Sequence, residues 1–153
     1  MTPIETDYLV VGAGAAGMAF VDALIAEADV DVVMVDRRQR PGGHWNDAYP
    51  FVRLHQASAN YGVNSRMLGT NTIDAEGENA GFYERATGDE IRDYFHAVMD
   101  EQFVPSGRVR FFGGCDYAGA DDEVVGLDPR HRTTASLRTV IWLRLPGKCV
   151  GTD

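Results

Sequence analysis

Six residues near the N-terminus, Gly12-Ala13-Gly14-Ala15-Ala16-Gly17, constrain this chain more than any other feature. They follow an apolar run at residues 7–11 (Asp-Tyr-Leu-Val-Val), which reads as a short buried strand. Residues 15–28 read as a helix, with Met18, Val21, Leu24 and Ile25 near helical spacing behind small Ala15, Ala16 and Gly17. Residues 31–36 (Asp-Val-Val-Met-Val-Asp) read as a second buried strand. A strand, a helix and a strand within about 30 residues imply a right-handed crossover and parallel strands.

The spacing has a chemical reason. Gly12 permits a tight turn, Gly14 lets backbone approach a pyrophosphate, and Gly17 lets helix and strand pack closely. The amides that open the helix, at Ala15 and Ala16, then point at the phosphates with the positive end of the helix dipole behind them. Asp36 stands 19 residues after Gly17, where an acid accepts hydrogen bonds from a ribose diol. A GxGxxG alone is a weak signal. A strand before it, a helix after it and an acid at the next strand end make it a dinucleotide site. The same pattern serves FAD and NAD.

The rest of the chain extends an α/β pattern. Residues 37–82 lack periodicity and are rich in Gly, Asn and aromatic residues. Trp45, Tyr49, Phe51, Leu54 and Tyr61 supply too much apolar surface for a free loop, so the segment is expected to wrap a ligand or a second domain. Residues 88–103 form an amphipathic helix, with Ile91, Phe95, Val98 and Gln102 in one stripe, Tyr94 and Met99 beside it, and Thr87 with Glu90 as a capping box. Residues 108–112 alternate as a third strand, giving the 3-2-1 half of a doubly wound parallel sheet.

Charge bounds the partners. The net charge of -9 argues against nucleic acid as a partner and against docking on anionic lipid. The longest apolar stretch, Tyr8 to Val21, holds three glycines and is too short to span a bilayer, so no membrane partner is expected. Glu5 and Asp7 stand where a signal peptide needs positive charge, and the expected location is cytoplasmic. Cys115 and Cys149 match no CxxC or zinc pattern and read as two free thiols. His44, His55, His96 and His131 show no metal-ligand spacing. Residues 1–128 carry a balance of -13 and residues 129–153 one of +4. The first span is therefore read as the dinucleotide-binding domain and the second as a divergent tail, for which a native sequence and a truncation or frame change are both open explanations. Val140 to Leu145 is a candidate strand within that tail.

Downstream of Asp36 the chain runs Arg37-Arg38-Gln39-Arg40-Pro41-Gly42-Gly43-His44-Trp45 and on through Asn46-Asp47-Ala48-Tyr49-Pro50. A GxGxxG turn, an acid, then GGxW and Tyr-Pro resembles the flavin-dependent monooxygenases of the flavin-containing and Baeyer–Villiger type, and related FAD/NAD(P)-dependent oxidoreductases. The resemblance covers residues 7–62 and thins from 63 to 115. It implies FAD as cofactor, with NAD(P)H as reductant in a complete enzyme. It implies that Gly12, Gly14 and Gly17 hold the pyrophosphate and Asp36 the adenosine ribose. Arg37 would cover the adenine or reach a phosphate. Gly43, His44 and Trp45 would lie along the ribityl chain and flavin, and His55 and Gln56 would reach the isoalloxazine edge. An indole at Trp45 would offer a stacking wall.

Arg37, Arg38 and Arg40 also fit a solvated basic cluster, or a site for the 2′-phosphate of NADP, which the Asp36 carboxylate would oppose. No second GxGxxG, no FxGxxxHxxx, no GxSxG and no GxxxxGK[ST] occurs in the sequence. Hence no catalytic residue is assigned. The expectation is an incomplete Rossmann-like FAD-binding segment, inactive alone, whose partners are FAD and protein domains that it lacks. A small NAD(P)-binding dehydrogenase-like protein and a non-catalytic relict module are the competing readings.

Overall fold

The computed structural model describes residues 4–115 and 139–141. Its centre is a three-stranded parallel sheet. Strand β2 (Tyr8–Val11) pairs with β3 (Val32–Asp36), and β3 pairs with β6 (Val109–Gly113). The order β2-β3-β6 is the expected 3-2-1 half. All five residues of β3 are buried, as expected of a central strand whose two faces are both covered. Strand β2 was expected to be buried and is mostly half-buried instead, with Val11 57% exposed. Among the described strands it has a sheet partner on one side only. A further strand, β1 (Ile4–Thr6), precedes it and pairs antiparallel with β7 (Thr139–Ile141). Strand β7 overlaps the candidate strand in the tail at Val140 and Ile141. The remainder of that candidate, and most of residues 129–153, lie outside the described residues.

Two helices make the crossovers. Helix α1 (Ala15–Glu27) joins β2 to β3 and buries Met18, Val21 and Asp22. Helix α2 (Gly88–Val98) lies between β3 and β6 and buries Ile91, Tyr94, Phe95 and Val98. The Thr87–Glu90 capping box forms, with the Thr87 amide donating to Glu90 at 2.7 Å and the Glu90 amide to Thr87 Oγ1 at 3.2 Å. The expected helix to residue 103 changes character after Val98: residues Met99–Phe103 form a π-turn. The wider turn shifts the apolar face, so Phe103 is fully buried where Gln102 was expected to continue the stripe.

Residues 37–82 are not a free wrap. Their apolar residues Trp45, Leu54, Val63 and Leu68 join Phe95, Phe103 and Met18 in one core. A short hairpin, β4 (Gly62–Val63) and β5 (Arg66–Met67), is tied to both helices. The buried Asp22 carboxylate of α1 accepts the Ser65 amide at 3.0 Å and also the Ser65 hydroxyl. The Tyr94 phenol of α2 donates to the Arg66 carbonyl at 2.6 Å and accepts the Val63 amide at 2.8 Å. Cys115 is disulfide-bonded, which corrects its reading as a free thiol; Cys149 lies outside the described residues. No helix among the described residues is long and apolar enough to cross a membrane.

Candidate dinucleotide site

The parallel register brings the C-terminal ends of β2 and β3 side by side, with Val11 opposite Val35. Each strand therefore delivers its next functional residue to the same end of the sheet. The Gly12 amide donates to the Val35 carbonyl at 2.7 Å, so the glycine turn begins where the ladder ends. Gly17 sits over this turn. A Cβ there would lie 2.1 Å from the Gly12 carbonyl oxygen, a clash with backbone that no rotamer relieves. The requirement for glycine is thus helix–strand approach, as the spacing implied.

Asp36 is the keystone. It is 6% exposed, and both carboxylate oxygens accept backbone amides: Oδ2 from Ala13 at 2.7 Å and Oδ1 from Arg38 at 2.8 Å. The acid therefore lies on the same side of the sheet as the turn and braces it. A carboxylate has about four acceptor positions, so two amides leave capacity for ribose hydroxyls.

The Gly42-Gly43 loop closes over the same turn. Gly42 donates its amide to the Ala13 carbonyl at 2.8 Å. Gly43 has φ 56° and lies against Gly14, such that a Cβ on Gly43 would be 2.8 Å from the Gly14 Cα. Two backbones meet here with no side chain between them. Asn46 holds the loop in this shape, donating from Nδ2 to the carbonyls of Pro41 and Gly43 at 3.1 Å each.

The opening of α1 is electrostatically unfinished. Gly14 caps it without a side-chain hydrogen bond, and its first turn holds no acid. Helix α2 differs, with a complete capping box and both Asp89 and Glu90 in its first turn. The first amides of a helix have no intrahelical acceptor and carry the positive end of its dipole. In α2 the protein supplies the anion. In α1 a ligand phosphate can do so.

The structure separates the sequence-assigned residues into three groups. Gly12, Gly14, Ala15, Ala16, Gly17, Asp36 and Gly43 form one site, with backbone and one carboxylate as its working parts. His44 and Arg37 are exposed beside it. The neighbouring Arg38 is engaged by Asp47, whose carboxyl is held below its usual range by the hydrogen bond from that guanidinium. Trp45 is 6% exposed, packs edge-on to Tyr61 and donates its Nε1–H to the Tyr61 hydroxyl at 2.7 Å. Its place is the core, which corrects the reading of its ring as an open stacking wall. His55 and Gln56 stand elsewhere, lining a small cleft with Phe82, Tyr83 and Arg85.

Three residues escaped the sequence reading. Ala13 is fully buried and exchanges both backbone groups, giving to Asp36 and receiving from Gly42. Its place inside the fingerprint was the available signal. Gly42 and Asn46 were readable as a loop glycine and a short amide able to bond nearby carbonyls.

Fold and site together define a Rossmann-like nucleotide-binding domain. Residues 10–70 match the family described as the NAD(P)-binding Rossmann-like domain. The chain is 56% identical over 138 residues to uncharacterized proteins from two strains of Mycobacterium tuberculosis and from Mycobacterium bovis. Each match covers 90% of this chain and 24% of the relative, so the chain spans about a quarter of the length of these curated relatives.

Proposed function

We propose that this chain provides the FAD-binding portion of a flavin-dependent, monooxygenase-like oxidoreductase that takes its electrons from NAD(P)H. The observation that carries the proposal is the contact between the Ala13 amide and Asp36 Oδ2 at 2.7 Å. It holds the phosphate-facing turn and the ribose-facing acid at one locus. Loop Gly42-Gly43 is the feature that favours FAD over NAD. It lies on Gly14 without a Cβ in the way, so its backbone is placed to continue along a ligand beyond the pyrophosphate.

The residues fit an ADP moiety. Amides of Ala15, Ala16 and Gly17 at the uncapped start of α1 bind the pyrophosphate. Asp36 accepts the ribose hydroxyls while its two amide bonds keep it oriented. Bound flavin supplies hydride and electron-transfer chemistry, so the chain needs to contribute orientation rather than an acid or base. The NAD(P)H site and the protein surfaces that complete the flavin pocket belong, in this proposal, to domains beyond the matched quarter of the longer relatives.

An NAD(P)-binding role is the second reading, favoured by the description of the family that residues 10–70 match. Parallel titrations separate the two. Flavin fluorescence reports FAD binding and nicotinamide fluorescence reports NADH binding. The proposal expects FAD to bind more tightly than NADH. Saturable NADH binding without FAD binding overturns it.

A further inference from the structure

Two consecutive glycines form the loop that lies on the start of α1, and neither can hold itself there. Gly42 and Gly43 have φ of 112° and 56°. Glycine loses more backbone freedom on ordering than any other residue. The restraint on this loop must therefore come from its neighbours.

One tie is the Gly42 amide, which donates to the Ala13 carbonyl at 2.8 Å. The others run through the loop's own acceptors. Asn46 Nδ2 lies 3.3 Å from the Arg40 carbonyl oxygen and 3.1 Å from those of Pro41 and Gly43. The Trp45 amide donates to the Gly42 carbonyl at 3.2 Å. Four successive carbonyls are thus turned inward, three of them onto one side-chain nitrogen. Those three acceptors fix which way the Asn46 amide faces. Its NH2 can donate to them, whereas its oxygen, or either oxygen of a carboxylate, would only oppose them.

Asn46 is itself anchored. Trp45, the residue before it, is buried in the core, donates to the Tyr61 hydroxyl at 2.7 Å, and offers its carbonyl to Arg92 Nη1 of α2 at 3.5 Å. A continuous path therefore runs from the core through Trp45 and Asn46 to Gly43. It ends where Gly43 meets Gly14 with no room for a Cβ between them.

We infer that Asn46 is a positioning residue for the flavin half of the dinucleotide, an inference that rests on the FAD reading above. Asn46 keeps Gly43 on Gly14 before the ligand arrives, so binding FAD does not have to order two glycines. Such preorganisation raises affinity without adding a contact to the ligand. ADP ends at the pyrophosphate and meets the α1 amides and Asp36 instead. Asn46 therefore bears on FAD and not on ADP.

The test measures ADP and FAD binding to the full 153-residue chain and to Asn46→Ala and Asn46→Asp. Asn46→Ala is expected to weaken FAD by about tenfold, the scale of re-ordering one residue's backbone. ADP affinity should stay within about twofold, because the helix start and Asp36 are untouched. Asn46→Asp keeps the shape without the donor and should weaken FAD at least as much. Hydrogen exchange without nucleotide supplies a second readout. The Gly42 amide should exchange faster in Asn46→Ala, while the Ala13 and Arg38 amides on Asp36 keep their native rates. An unchanged FAD-to-ADP affinity ratio in both variants overturns the inference and leaves the FAD reading standing. So does a parallel loss of both ligands, which would mark Asn46 as a general support of the fold. A native chain that binds ADP but gains nothing from the flavin half overturns the FAD reading, and this inference with it.

Discussion

Replacing Asp36 with Asn removes a charge while keeping the side chain's shape. In the native chain both carboxylate oxygens accept backbone amides, from Ala13 and from Arg38. An Asn has one acceptor oxygen; its amide nitrogen is a donor. One of the two backbone amides would therefore face another donor at a position that is 6% exposed. Losing a charge-assisted hydrogen bond costs roughly 1.5–3 kcal/mol, and stranding a buried donor sets a similar scale. A total near 3 kcal/mol is expected. With a urea m-value of about 1.5–2 kcal/mol/M, the unfolding midpoint falls by about 1.5–2 M. Trp45, buried in the core, serves as one fluorescence reporter. Asp47→Asn is the control: it breaks the exposed pair with Arg38 and should shift the midpoint by no more than about 0.3 M. If Asp36→Asn unfolds within that same margin, the idea that Asp36 braces the turn is refuted.

Three further outcomes follow from the same geometry. Gly17→Ala drives a Cβ into the Gly12 carbonyl and should cost about 3 kcal/mol, near the top of the overpacking range, read by thermal unfolding. Burial raises the ionisation of the Tyr94 phenol above its ordinary value, outweighing the amide it accepts from Val63. The neutral phenol is the folded form, so its stabilisation is complete below the unfolded value of about 10 and is lost as pH rises through the higher folded value. The unfolding midpoint should accordingly decline faster above pH 10 in the native chain than in Tyr94→Phe, and parallel declines would contradict this. Thr87→Ala removes the α2 cap and should cost about 1 kcal/mol by urea unfolding.

Much of this architecture was legible because its signals are local. Apolar runs at residues 8–11 and 32–36 and the glycine spacing between them leave one compact arrangement, the parallel crossover that forms. The α2 cap was legible for the same reason, since Thr87 and Glu90 are near neighbours. What escaped was set by contacts distant in sequence. Trp45 looked like a ligand wall because its core partners, Tyr61 and Gly88, lie 16 and 43 residues away. Gln102 looked like part of an apolar stripe because a π-turn leaves no periodic signature before it occurs. His55 and Gln56 were drawn to the flavin by resemblance, whereas antiparallel pairing of their neighbours with residues 84–88 places them beside Arg85. At the glycine turn, the residues that come together present mainly backbone amides. A glycine pattern encodes those more directly than it encodes any side-chain pose.

The central claim is that the uncapped start of α1 and the Asp36 carboxylate together hold the ADP half of a dinucleotide. Titrating the chain with ADP and then FAD, while recording amide shifts at residues 12–17 and at Asp36, tests it most directly. The account predicts saturable shifts of those amides with ADP, additional shifts at Gly43 and His44 with FAD alone, and loss of both sets in Asp36→Asn protein that is verified as folded. Amides at residues 12–17 that stay in place at millimolar ADP and FAD would contradict it.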